Sequence, residues 1–349
     1  MIDTRPCGFG GTASLGLVRV FENGEGFGRV THIDGMIKTL YDPTEKKDVS
    51  TLLEDGAHFS RQDSLFPEEF FSSMPGLKVL GVFNSGYKPL ISSLSGLKEL
   101  DVLVLRNCDM LDDTTHISNL TTLRVLEIFE SRDGEYSSLM SIPENMLNEM
   151  THLQSLNLSG LQIESLPSLS KLIKLRLLIL RRCSRLEKLQ SLKGLANLEI
   201  LDLSGSESLE NFHDTTARLQ HLSSLQILDL SGQANLETSC SRIPCNLSEL
   251  NLSGCPELVE LPSTTSLKNL ELLDVSDAPK LANINHESFQ HLTYLRYINF
   301  SNTKVENLPT LSNLRNLRQV LLRNCTLLRN LPAMEGVTRL EEFRYLKCR

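Results

Sequence analysis

From Leu77 onward one pattern, L-x-x-L-x-L, starts again at Leu77, Leu100, Leu123, Leu153, Leu175, Leu198, Leu225, Leu247, Leu270, Leu295, Leu317 and Leu340. Eleven steps thus cover 263 residues at about 24 each. Twelve in-register copies of three apolar positions, aliphatic except where Phe or Tyr stands in the copies at Leu295 and Leu340, do not arise by chance, and a repeat of this period calls for a solenoid rather than a single packed globule. Within each copy, period-2 alternation puts the fourth and sixth positions on one side of a short strand and the third, fifth and seventh on the other. A unit hides about seven apolar side chains at roughly 2 kcal/mol each, while ordering its backbone costs roughly 1–2 kcal/mol for each of about two dozen residues. No unit stands alone. Stacking lets neighbours share a core and pairs the strands into one parallel sheet with an open inner face.

The second halves of many units end in Leu-Pro, at Leu166-Pro167, Leu261-Pro262, Leu308-Pro309 and Leu331-Pro332, with Ile142-Pro143 as a variant. Proline lacks an N–H and fixes φ, so loops and short turns are expected on the outer side. The steps from Leu123 (30 residues) and Leu198 (27 residues) are long. The first carries the polar run Ser131 to Tyr136, either a tolerated surface insertion or a binding loop. Residues 1–27 are Gly-rich and read as disordered or as a remnant of a preceding unit. Residues 28–76 read as an amino-terminal cap or degenerate repeats, with apolar stretches at 28–33 and 49–53; Phe66, Phe70, Phe71 and Met74 are expected to form a short helical lead-in to the first full unit.

The form L-x-x-L-x-L-x-x-C followed by L-x-x-L-P, as in Leu247 to Pro262 (LSELNLSGCPELVELP), together with Phe70 to Val82 (FFSSMPGLKVLGV), resembles the repeat regions of plant intracellular nucleotide-binding leucine-rich-repeat immune receptors. The resemblance covers roughly residues 28–349. It implies an α/β solenoid, a leucine-rich-repeat horseshoe with one curved parallel β-sheet on the concave side and mostly loops and short turns on the convex side. The G-x-I-P turn of extracellular plant receptors does not occur. Nor does a Gly-Lys pair, so the chain holds no phosphate loop and is expected to be the carboxy-terminal part of such a receptor or a truncated relative. His32-Ile33-Asp34 is only faintly similar to the Met-His-Asp signature of that family's ATPase module.

Cys108, Cys183, Cys255, Cys325 and Cys348 share the ninth position of their units, where a buried thiol can donate to a backbone carbonyl; disulfides and metal binding are not expected, and Cys240 with Cys245 lacks the second pair a zinc site needs. Four glycosylation sequons, at Asn119, Asn157, Asn246 and Asn251, are read as products of the repeat consensus. No Gly-x-Ser-x-Gly or His-Glu-x-x-His motif occurs, and paired acids such as Glu341-Glu342 alternate across a strand, so no catalytic site and no cofactor are expected. A net charge of -8 argues against nucleic acid and anionic membrane as partners. No apolar run is long enough to span a bilayer, and with Met1 as the start no signal-peptide core follows, so a cytoplasmic location is expected, with nucleus or membrane reached through partners.

A partner must then be met on the concave face. Its third, fifth and seventh positions give Val79, Phe83, Val102, Val104, Arg106, Val125, Glu127 and Phe129 early, an acidic track of Asp202, Asp229, Asn251 and Asp274 with alternating serines in the middle, and Tyr297, Arg323 and Arg344 late. Arg181 stands between the first two groups. Exposed aromatics beside arginine are the usual ingredients of an interface centre, so the early patch is the expected contact. Its cover is either the receptor's own nucleotide-binding module or a foreign ligand, a pathogen effector or a guarded host protein. Two other classes remain beside this: a substrate-recruiting arm of a ubiquitin ligase, which would need a helical recruiting module, and an extracellular ectodomain, which would need a secretion signal and paired capping cysteines.

Overall fold

The computed structural model describes residues 30–33, 51–55, 70–85, 92–108, 111, 114–130, 139–209, 219, 221–236 and 243–346. The segment 1–27, Phe66, the run Ser131 to Tyr136, Cys240 and Cys348 lie outside the described residues.

The described residues form one 14-stranded sheet in sequential order. Its strands are β1 (Val30–Ile33), β2 (Thr51–Asp55), β3 (Val79–Phe83), β4 (Val102–Arg106), β5 (Val125–Phe129), β6 (Ser155–Asn157), β7 (Leu177–Ile179), β8 (Ile200–Asp202), β9 (Ile227–Asp229), β10 (Glu249–Asn251), β11 (Leu272–Asp274), β12 (Tyr297–Asn299), β13 (Gln319–Arg323) and β14 (Glu342–Leu346). All neighbours pair in parallel, and equal repeat positions face each other: Leu80, Leu103, Leu126, Leu156, Leu178 and Leu201 stand in one row. A slip of one residue would turn every one of these leucines to the opposite face, so the hydrophobic pattern holds the register. The first leucine of each unit from Leu77 to Leu317 is fully buried, and a single continuous core runs the length of the stack.

Among the described residues the return side is almost free of helix. Short 3-10 turns occur at Phe70–Ser73, Ser92–Gly96 and Thr115–Asn119, and the rest is turns and extended links, as the Leu-Pro steps require. Phe71 and Met74 are buried against the first units.

Two ladders run beside the strands. Ninth-position side chains donate to the sixth-position carbonyl of the preceding unit: Cys108 Sγ to Val82 (3.8 Å), Cys183 Sγ to Leu158 (3.2 Å), Ser206 Oγ to Leu180 (2.6 Å), Cys255 Sγ to Leu230 (3.3 Å) and Cys325 Sγ to Phe300 (3.1 Å). Burial pushes the Cys183 thiol up to about 12 and the Cys255 thiol up to about 11, so both stay protonated as donors. Along the second position, Arg124 pairs with Asp101 (2.7 Å), Arg176 with Glu199 (2.7 Å), Arg296 with Glu271 (3.0 Å) and Arg318 with Glu341 (3.0 Å); exposed pairs of this kind contribute little to stability.

Strands β3, β4 and β6 to β13 leave the sheet through a residue in the left-handed region. Ten described residues have positive φ and all ten sit at the eighth position: Asn84, Asn107, Gly160, Arg182, Gly205, Gly232, Gly254, Asp277, Asn302 and Asn324. Nine are Gly, Asn or Asp, the types that tolerate this conformation; Arg182, at φ 53°, is the exception. We expect Arg182→Asn to stabilise the fold by about 0.5–1 kcal/mol, read as a higher midpoint in urea unfolding. An unchanged or lower midpoint would show that contacts of the arginine outweigh its backbone strain.

Candidate functional site

The inner face carries three groups rather than one surface. At β3–β5, Val79, Val102, Val104 and Val125 pack on one another across the strands with Phe83 against them. Val79, Val102 and Val104 are exposed to only 4%, 3% and 1% and Glu127 to 0%, which corrects their reading as displayed surface. Parallel strands lie about 4.8 Å apart, so side chains in one row shield each other even on an open face. What this region displays is Phe83, Arg106 and Phe129, half-buried and side by side at the seventh position, where Phe83 pairs with Arg106 and Arg106 with Phe129 in the register. The guanidinium of Arg106 stands 5.7 Å from the Phe129 ring centroid, and its Nη2 donates to Glu127 Oε2 at 2.9 Å. Burial raises the Glu127 carboxyl above the ordinary carboxylate range; the hydrogen bond and the charge of Arg106 oppose that rise.

The second group went unread in the sequence. Leu177, Ile179 and Ile200 form another buried apolar patch with Ile227 against it. Its signal was available in Leu175 to Leu180 (LRLLIL), where the open-face positions are as apolar as the core positions. Arg181 borders it, half-buried, with its Nε on Asp202 Oδ2.

The middle track is also corrected: Asp202, Asp229, Asn251 and Asp274 are buried to within 4%, 4%, 2% and 8%, and they serve the backbone rather than solvent. In each, Oδ1 accepts the N–H two residues on, at Ser204 (3.1 Å), Ser231 (2.9 Å), Ser253 (3.0 Å) and Ser276 (2.9 Å). This local turn competes with further pairing and ends the strand, which is why aspartate and asparagine recur there. Between units, Asn251 Nδ2 donates to Asp229 Oδ2 and Asn299 Nδ2 to Asp274 Oδ2, both at 3.1 Å. Burial, then the neighbouring charge of Asp202, lifts the Asp229 carboxyl.

The third group lies on β12–β14. Tyr297 is half-buried with its hydroxyl 3.4 Å from Asp274 Oδ2; burial first and that carboxylate second push the phenol up to about 12. Arg323 is half-buried and Arg344 exposed, the latter ion-paired with Glu342. Of the sequons, Asn157 and Asn251 are 2% exposed and closed to a glycan, whereas Asn119 and Asn246 are exposed. Among the described residues no group of three or more His, Cys, Asp or Glu stands together to hold a metal ion, and no helix is long and apolar enough to cross a membrane.

The sequence is 34% identical over 374 residues to an Arabidopsis thaliana protein described as a disease resistance protein, an alignment covering 100% of this chain. The chain is a leucine-rich-repeat solenoid, similar along its whole length to part of a plant disease resistance protein. A second Arabidopsis thaliana protein so described is also 34% identical, over 78% of the chain. The repeat region spans only 30% of the first relative's length and 23% of the second's. An internalin of Listeria monocytogenes, 18% identical, superposes with a TM-score of 0.63 over 87% of this chain and 89% of its own, a likeness of fold alone. No protein-family profile matches the chain.

The repeat region therefore offers a scaffold whose inner side chains are mostly spoken for by neighbours. Among the described inner-face residues that neighbours leave unburied are Phe83, Arg106 and Phe129 at one end, Arg181, Ile227, Glu249 and Leu272 in the middle, and Tyr297, Leu321, Arg323 and Arg344 at the other.

Proposed function

We propose that this repeat region is the protein-recognition surface of a cytoplasmic plant immune receptor, meeting a pathogen effector or a guarded host protein and, at rest, the receptor's own nucleotide-binding module. The observation that carries the reading is the apolar floor at β3–β5 crowned by Phe83, Arg106 and Phe129. Two rigid aromatic rings flanking an arginine, set on desolvated valines, supply the contact area and directional bonding that dominate protein interfaces. The similarity of this whole chain to part of a disease resistance protein supports the immune setting. In the parent receptor a ligand must favour the open state differentially for anything to switch, so resting contact and ligand contact would compete for the same patch.

The test is a pull-down with candidate effectors and with a nucleotide-binding module supplied in trans. Phe83→Ala with Phe129→Ala is expected to weaken capture about tenfold or more, with the circular dichroism spectrum unchanged. Full retention of binding by the double variant would move the site elsewhere on the solenoid.

A further inference from the structure

Three arginines share the seventh position of their units, and two of them follow one rule. Arg106 on β4 reaches the fifth-position acid of the next strand, Glu127, and Arg181, just past β7, reaches the fifth-position acid of the next strand, Asp202. Arg323 on β13 is the third. The residue at that place on the next strand is Arg344, since Leu321 pairs with Arg344 and Arg323 with Leu346. Arg344 is itself held by Glu342 of its own strand. Arg323 Nε is buried and has no hydrogen-bond partner. A guanidinium keeps its charge in a protein, and the carboxylate that Arg106 meets through Nη2 and Arg181 through Nε has no counterpart at Arg323 among the described residues.

We infer that Arg323 is the receptor for a carboxylate on an acidic segment of a bound protein, a contact that supplies from outside what Glu127 and Asp202 supply from within. The inference rests on the protein-binding reading above and adds the chemistry of one contact at the opposite end of the same face. Half-buried Leu321, two residues before it on the same face of β13, gives the stem of an acidic side chain an apolar seat, and partial desolvation strengthens a charge-assisted bond. A polyanion such as nucleic acid fits poorly: it would have to lie along the track of Asp274 and Asp229 in a chain of net charge -8, whereas a single carboxylate meets only the arginine.

Two measurements test it on the full chain. The first needs no ligand. Arg344→Asp puts an acid at the place of Glu127 and Asp202, and should raise the thermal unfolding midpoint in the wild-type background but not in an Arg323→Gln background. No difference between the two backgrounds would show that Arg323 lacks nothing, and would overturn the inference. The second is calorimetric titration at low salt with a synthetic peptide of alternating glutamate and glycine, against its glutamine counterpart. The glutamate peptide is expected to bind, the glutamine peptide not, and both Arg323→Gln and Arg344→Asp to weaken binding about tenfold or more. Absence of binding, or equal binding by Arg323→Gln, overturns the proposal; so does a single-stranded oligonucleotide that binds more tightly through Arg323, which would make the anion a phosphate. Phe83→Ala with Phe129→Ala should leave peptide binding unchanged. A lost peptide result with the pull-down intact therefore sinks this inference alone, and the reverse pattern sinks only the assignment of the β3–β5 patch.

Discussion

Gly160→Ala is expected to cost the fold at least about 3 kcal/mol, while the same change at Gly254 costs about 1–2 kcal/mol. Both glycines sit at the eighth position with positive φ, 75° and 66°, so the two variants share the strain of a left-handed alanine. They differ in room. A Cβ on Gly254 would find only Gly232 backbone atoms, the nearest at 3.7 Å, whereas a Cβ on Gly160 would fall inside the carbonyl oxygen of Glu130. Since a carbonyl in the backbone cannot swing away as a side-chain tip does, the unit at Leu153 must shift against the one before it. Urea unfolding of both variants checks the ranking; equal losses would mean that the conformation, not the close approach, governs this turn.

Arg106→Met should lose about 3–5 kcal/mol near neutral pH, because it leaves Glu127 charged, buried and unpaired. Glu127 is fully buried, one of its carboxylate oxygens already has no hydrogen-bond partner, and the other holds Arg106 at 2.9 Å. The sign of the pH dependence follows from the direction of its shift. Burial raises the folded-state pKa above the ordinary carboxylate value, so the folded chain binds this proton more tightly than the unfolded chain, and acid favours folding at this site. Without the hydrogen bond and charge of Arg106 to oppose burial, the pKa rises further. The deficit of Arg106→Met against wild type should then be greatest above the folded pKa and shrink as pH falls through it toward the ordinary carboxylate range. Adding Glu127→Leu to Arg106→Met should restore most of the loss at every pH. A deficit that stays constant as pH falls from neutral into the ordinary carboxylate range would show that Glu127 is not ionised in the folded chain.

Much of the architecture was legible in the chain because its signal is repeated. A single L-x-x-L-x-L is weak, but the spacing from Leu77 to Leu340 places Leu80, Leu103 and Leu126 in one row, and their pairing follows. The ninth-position cysteines were equally readable, since a small weak donor recurring beside the core calls for a buried acceptor, and Cys183 and Cys255 find one. The site was read less well, for a reason that Val104 makes plain. Alternation with Leu103 and Leu105 puts Val104 on the inner face, but period alone gives the face and not the depth; neighbours on β3 and β5 leave it 1% exposed. Asp229 misled in another way: an aspartate on an open face invites a solvent reading, and only the serine two residues on shows that its oxygen belongs to a turn. The eighth-position column of Asn, Asp and Gly was present in the sequence as a statement about backbone conformation, and Arg182 could have been picked out there as its exception. Which arginines are satisfied was beyond pattern reading, because it depends on matching the seventh position of one unit to the fifth of the next.

The central claim is that recognition takes place on the inner side of this sheet. Hydrogen–deuterium exchange across the whole chain, with and without a purified protein partner captured by the wild type, tests it most directly. The account predicts added protection in the segments holding Phe83, Arg106 and Phe129, with the outer turns at 143–150 and 260–265 unchanged. Protection confined to those outer turns, with 79–83, 102–106 and 125–129 exchanging as in the free chain, would contradict it.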